Sequence, residues 1–372
     1  MEKLKTLYAK INSRDKVLIL MFIITRVILG ILLFTCKTNL IYDEIHYCNI
    51  AHNGYTSEEQ LAFFPLLPII IKIFGYYGTL IINSIATILG AIIIDKLLIK
   101  NDKDEKTRTL TIFCFFISPI SIFTILSYTE ALFFLFTIIS FYLFVERKHY
   151  ILMGIFIGCS VATRSMGALL FFSIFIGMLC LWKQKELKFV DIIKTYIPAT
   201  IISVLYPLYL QIQFGNWKAF VDVQYTQWFR EKSSIFKNFI LQIKIITNQT
   251  HVFDDKNLTT KIVWKSNEIL TIVIFVFIII LFILSLKYIK KDYINNIVMI
   301  LYTLSSIWVI NHTIRVCYGT PTVSYYRYYF AIFPLYIWLS NIKHKYIVAL
   351  NTIICTLTIL ISIFVYSGIF FF

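Results

Sequence analysis

Val17-Leu18-Ile19-Leu20-Met21-Phe22-Ile23-Ile24-Thr25-Arg26-Val27-Ile28-Leu29-Gly30-Ile31-Leu32-Leu33-Phe34-Thr35 is an apolar run broken by one charge, and Tyr42-Asp43-Glu44-Ile45-His46-Tyr47 follows after a short loop. A run of roughly 20 apolar residues crosses ~30 Å of hydrocarbon as a helix. Comparable runs recur at approximately 79–95, 110–127, 128–145, 193–212, 269–286, 294–312 and 346–370, with less distinct ones at 150–163, 165–182 and 326–341. A chain of 372 residues that is 59% hydrophobic and only 15% charged lacks the polar residues to cover a water-soluble core. The sequence therefore predicts an all-α, polytopic membrane protein with roughly 9–11 transmembrane helices. No Pro/Gly/Ser-rich linker and no repeat interrupts it, so 1–372 reads as one integral membrane domain.

Basic residues set the expected orientation, because cytoplasmic loops retain Lys and Arg during insertion. With the N-terminus inside, alternate loops hold 21 of the 35 basic residues, grouped at Lys3 to Lys16, Lys96 to Arg108, Arg147 with Lys148, Lys183 to Lys194, Lys287 to Lys291, and Lys343 with Lys345. This arrangement puts 36–75, with its interfacial helices, and the long loop 213–268 on the outer face. Segment 61–75 is short and broken by Pro65 and Pro68, and reads as a re-entrant or interfacial helix. The net charge of +15 fits this bias and contact with anionic lipid, and requires no nucleic acid. Seven cysteines form no CxxC pair, so no zinc site is suggested, although Cys36, Cys48 and Cys317 share the outer side and one pair could bridge.

Ionisable residues beside the spans are the candidates for chemistry. Asp43 and Glu44 open a short helical pattern that Gly54 would close, with His46 on the same face as Asp43. Capping alone would explain Asp43, but an adjacent Glu44 exceeds what a cap needs, and an interfacial carboxylate can take a proton from an attacking hydroxyl. Arg26 lies inside the first run and calls for a partner, a cavity or an interface to snorkel to. Glu130 and Arg164 fall at the same outer level, either as a mutual ion pair or as part of a site. In Ser324-Tyr325-Tyr326-Arg327-Tyr328-Tyr329 an aromatic belt would explain the tyrosines, whereas Arg327 suits bidentate binding of phosphate. No Walker loop, GxGxxG, HExxH or GxSxG occurs.

At these residues the chain resembles the GPI mannosyltransferase II (PIG-V) family and its bacterial relatives, membrane glycosyltransferases of the GT-C class. The resemblance runs in order through Tyr42-Asp43 with His46-Tyr47 and Gly54-Tyr55, Ala62-Phe63-Phe64-Pro65, Ser118-Pro119 with Tyr128 and Glu130, Ala162-Thr163-Arg164-Ser165, Phe214-Gly215-Asn216 with Gln224 and Trp228, and Arg327-Tyr328 with Phe333-Pro334. Tyr42 stands where a Trp often precedes the family's aspartate. Asp43-Glu44-Ile45-His46-Tyr47 is also similar to the Asp-Glu-x-His-Phe pattern of protein O-mannosyltransferases. The resemblance implies a GT-C fold, a polyprenyl (dolichyl-type) phosphate sugar donor with mannose as the expected sugar, and a catalytic aspartate that falls on Asp43. The expected acceptor is a glycan or glycolipid, and because the leaving group is a monophosphate with a single ester, no metal or other cofactor is expected. Catalysis is expected on Asp43 with Glu44, and donor or acceptor binding on His46, Tyr55, Glu130, Arg164, Tyr326 and Arg327. A transporter or lipid flippase is the competing class, whose site should lie near mid-membrane. Short loops and an Ile/Lys/Asn-rich composition favour a bacterial cell membrane; in a eukaryote the resemblance implies the endoplasmic reticulum membrane and the GPI precursor.

Overall fold

The computed structural model describes residues 13–36, 40, 42–249, 258–288, 292–315, 321–322 and 324–366. Cys317 and most of the basic N-terminal group lie outside them. The protein is an all-α polytopic membrane protein. Six helices are long and apolar enough to cross a membrane: α1 (Ser13–Cys36) and, in later order, segments Leu66–Lys100, Phe189–Phe214, Trp264–Leu286, Tyr293–Asn311 and His344–Ile363. After α1 come α2 (Asp43–Asn53), a 3₁₀ turn at Glu58–Ala62, α3 (Leu66–Lys100), α4 (Glu105–Ile117), α5 (Ile120–Thr124), α6 (Glu130–Glu146), α7 (Tyr150–Thr163), α8 (Gly167–Lys183), α9 (Phe189–Phe214) and α10 (Ala219–Thr226). The chain then forms β1 (Arg230–Lys232), α11 (Ile235–Ile246), α12 (Leu258–Leu286), α13 (Tyr293–Asn311), β2 (Thr313–Arg315), α14 (Tyr325–Phe330), α15 (Pro334–Leu339) and α16 (His344–Tyr366).

Helix α6 is apolar on every side and buried along most of its length, as a central helix must be. Two expected spans are not continuous. The run 110–127 is split where Ser118 turns to an extended conformation and Pro119 starts α5. The run 326–341 becomes the two short helices α14 and α15. Their broken backbone is buried in protein, where such segments are tolerated at membrane depth. The breaks also hold each other: Ser118 Oγ lies 3.1 Å from the Tyr336 hydroxyl, which donates to the Phe330 carbonyl at 3.0 Å. Asn83 of α3 fixes the following turn by donating to the Leu126 and Tyr128 carbonyls at 2.7 and 2.9 Å.

Segment 61–75 forms the end of the 3₁₀ turn and the first part of α3. Gly75 (φ 72°, ψ 172°) breaks the helix in a conformation open to glycine, separating a short arm from a long membrane-crossing one. The loop expected at 213–268 is shorter, because α12 is already helical at Leu258. Arg26 of α1 meets a partner, donating to Thr124 Oγ1 at 2.6 Å. The segments expected inside gather at one end of the bundle. Arg14 and Arg108 pair with Asp95 at 3.0 and 3.1 Å, Arg147 approaches Glu186 at 3.7 Å, and Lys103 donates to Asn341 at 2.6 Å.

Close helix contact rests on small residues. A Cβ added at Gly154 of α7 would lie 2.0 Å from the Thr195 carbonyl oxygen of α9, and one at Gly158 would lie 2.6 Å from Ile202 Cβ. This small-xxx-small spacing lets the two backbones approach. Gly154→Ala should lower stability by ~1–3 kcal/mol, since the helices must part. Gly30→Ala is the control, because its Cβ would meet only Ile125 Cδ1 at 4.0 Å. Thermal unfolding in detergent checks this: equal melting temperatures for the two variants would contradict the contact.

Candidate active site

Helix ends converge opposite the basic end of the bundle. Asp43 is the first residue of α2 and Glu130 the first of α6, positions where a helix dipole favours a carboxylate. Arg164 follows the end of α7, and Arg327 lies in α14. Arg327 is 4% exposed and joins two carboxylates: its Nη2 lies 2.8 Å from Asp43 Oδ2 and its Nε 3.0 Å from Glu130 Oε1. Arg164 Nη1 pairs with the same Glu130 oxygen. The expected Glu130–Arg164 ion pair is therefore present, with Arg327 as its third member.

Aromatic rings hold the guanidinium groups. Arg327 sits 5.1–5.2 Å from the ring centroids of Phe123, Tyr128 and Tyr328, and Arg164 lies 4.7 Å from Tyr328. Stacking of this kind suits Arg, whose planar cation is weakly hydrated. Tyr328 thus lies against both guanidinium groups.

A cavity of about 350 Å³ opens here, lined by Asp43, Arg164, Arg327 and Tyr328 on one side and by Phe63, Phe220 and Trp228 on another. Arg230 and Arg315 also line it. Among the described residues no group of three His, Cys, Asp or Glu side chains converges as metal ligands.

Several expected roles change. Asp43 does not cap its helix: Tyr42, at φ 48°, takes the cap position, and no side-chain cap bond forms. Gly54 does end α2, its N–H donating to the Ile50 carbonyl at 2.9 Å. Glu44 is fully buried and away from the cavity lining, accepting from the Tyr76 hydroxyl at 2.9 Å and the Ser127 N–H at 3.0 Å. Successive helical residues point about 100° apart, so Asp43 and Glu44 cannot face one cavity together. His46 stacks on Phe63 at 4.7 Å, meets Trp228 edge-on at 5.5 Å and has Glu59 at 3.9 Å, supporting the aromatic wall from behind. Tyr55 donates to the Phe63 carbonyl at 2.7 Å and packs on Tyr206, outside the cavity lining. Tyr326 is fully buried against Phe123, and of the two it is Tyr328 that faces the cavity. Cys36 and Cys48 are both free thiols.

Arg230, Arg315 and Tyr328 are not among the expected site residues. Tyr328 is within reach of the sequence, since it differs from Tyr326 only in helical phase. The pairing of Arg230 with Arg315 depends on a contact between distant strands and leaves no local signal.

A polytopic helical protein with a carboxylate and several arginines around one cavity has the form of a membrane glycosyltransferase. Residues 33–231, more than half of the chain, match the mannosyltransferase (PIG-V) family, and the protein belongs to it. A search among curated proteins found no match.

Proposed function

We propose that the protein transfers mannose from a polyprenyl-phosphate donor to a hydroxyl of a lipid-linked or cell-surface glycan at the outer face of the membrane. The observation that carries this reading is the contact of Asp43 with Arg327 on the wall of one cavity, which sets a proton acceptor beside a phosphate ligand. Asp43 takes the proton of the acceptor hydroxyl as its oxygen bonds to the sugar C1. The bond from C1 to the phosphate oxygen breaks, and its electron pair leaves with the phosphate. Arg327 and Arg164 stabilise that departing charge. Arg327 Nη2 donates to Asp43, whereas Nη1 and Nε are buried with no hydrogen-bond partner among the described residues, Nε lying at ion-pair distance from Glu130, which leaves Nη1 as a donor for the phosphate. Glu130 orients both arginines from below, and Glu44 fixes α2 to the body of the bundle.

Donor class tests the proposal directly. Purified protein should transfer radiolabelled mannose from polyprenyl-phosphate mannose and leave a nucleotide-linked mannose untouched; the opposite selectivity would overturn it. Orientation follows from the same reading, with the cavity outside and the cluster at Arg14, Asp95 and Arg108 inside. In a background without native cysteines, exposed Glu58→Cys should react with an impermeant maleimide on intact cells and exposed Lys106→Cys should react only after lysis. Labelling of position 106 alone would turn the site to the cytoplasm.

A further inference from the structure

A second cavity, also of about 350 Å³, opens between α4 and α16 and shares no lining residue with the one that holds Asp43. Leu110 and Phe113 line it from α4, and Asn351, Thr352, Cys355 and Thr356 from α16. These four lie inside a segment apolar enough to cross a membrane, and no charged side chain lines the cleft. Its hydrogen bonds leave acceptors unused. Asn351, 4% exposed, donates through Nδ2 to the Leu110 carbonyl at 3.0 Å and so ties α16 to α4. Its Oδ1 is buried with no hydrogen-bond partner among the described residues. Turning the amide over would set that oxygen against the Leu110 carbonyl, acceptor to acceptor, so its orientation is fixed. The Thr352 and Thr356 hydroxyls donate to the Val348 and Thr352 carbonyls one turn back, at 3.2 and 3.1 Å, and their oxygens can still accept. The Nδ2 contact is the usual polar link between membrane helices. It gives no use for Oδ1, and hydrocarbon holds no water to satisfy a buried acceptor.

We infer that this cleft binds a neutral lipid through a hydroxyl group, the class to which diacylglycerols belong. The lipid hydroxyl donates to Asn351 Oδ1, and its hydrocarbon covers Leu110 and Phe113. Depth selects the same class. Asn351 lies seven residues past His344, the first residue of α16, which places it ~10 Å along the helix axis at ~1.5 Å per residue. Lys343 and Lys345 mark that start as the basic end of the bundle. A headgroup phosphate held at the surface stops short of this level in a core ~30 Å thick, and an ionised phosphate brings further acceptors where the cleft needs a donor. A diacylglycerol carries nothing beyond its hydroxyl and can sink to Asn351. The two cavities have no residue in common, so this site stands or falls independently of the transfer reaction.

Thermal unfolding of the full-length protein in neutral detergent, with lipid dissolved in the micelles, tests the site. Dioleoylglycerol should raise the melting temperature of wild type in a saturable way, because it binds only the folded protein. Its methyl ether, which has no hydroxyl to donate, should need about three- to tenfold more lipid for the same rise, as expected for the loss of one hydrogen bond. Thr352→Phe places a ring in the cleft from an exposed position and leaves Asn351 on Leu110. That variant should melt like wild type without lipid and lose the response to dioleoylglycerol. Asn351→Leu should respond equally to the alcohol and the ether; if it is not recovered folded, the ether comparison in wild type and the Thr352→Phe result decide the matter. No saturable rise in wild type, equal responses to the alcohol and its ether, or an undiminished response in Thr352→Phe would each overturn the site. A wild-type dimer that Thr352→Phe converts to a monomer would show a second copy covering the cleft, and would overturn the lipid assignment as well.

Discussion

Asp43→Asn should reduce turnover by roughly 10²–10⁴-fold, the usual contribution of a general base, with little change in the donor concentration that half-saturates the enzyme. The amide matches the carboxylate in shape and its oxygen still accepts from Arg327, so the 2.8 Å contact survives in weaker form. What it loses is the capacity to take up a proton from the acceptor. The fold should tolerate the change, because Asp43 makes no capping bond and Arg327 keeps Glu130. Glu44→Gln provides the contrast. Its carboxylate accepts from the Tyr76 hydroxyl and the Ser127 N–H through one and the same oxygen, Oε1, so the amide oxygen of glutamine can keep both hydrogen bonds inside the protein. That variant should therefore melt close to wild type and retain most of its turnover. Full activity in Asp43→Asn, or a folded but inactive Glu44→Gln, would exchange the roles of the two carboxylates.

The membrane class and the short helix after the first span were legible because they depend on local pattern. The apolar run from Val17 to Thr35 dictates a crossing whatever surrounds it, and Gly54 closes α2 for reasons contained in a few residues. The breaks at Ser118-Pro119 and between α14 and α15 were less visible. Buried broken backbone is flanked by side chains as apolar as those of a continuous span, so hydropathy reads straight across it. Asp43, Arg164 and Arg327 were singled out by their position at span ends, where a charge requires an explanation. Assigning their partners required the fold, because Arg327 reaches Asp43 across 284 positions of sequence. Glu44 and Tyr326 were drawn into the expected site by their neighbours in sequence. Helical geometry turns each of them into the core, and Asp43 and Tyr328 toward the cavity.

Arg327→Lys should raise the donor concentration required for half-saturation by roughly ten- to a hundredfold. Removing a charge-assisted hydrogen bond costs ~1.5–3 kcal/mol, and each ~1.4 kcal/mol is a factor of ten. Lysine preserves the charge between Asp43 and Glu130 but supplies a single point of contact, and it cannot span both carboxylates while offering a further nitrogen to phosphate. Its ammonium also gains less from the surrounding rings of Phe123, Tyr128 and Tyr328 than a stacked guanidinium does. Arg327→Ala is a different experiment. It strips Asp43 of a partner at 2.8 Å and leaves Glu130, which has no exposure to solvent, with Arg164 alone. Breaking a buried ion pair from one side typically costs ~3–5 kcal/mol, so the alanine variant should fail to accumulate as folded protein. Steady-state assays that vary donor and acceptor separately decide the lysine case. A selective rise in the donor requirement assigns Arg327 to the donor phosphate. An effect confined to the acceptor would move it to the acceptor site, and unchanged kinetics would reduce it to a structural link between α2, α6 and α14.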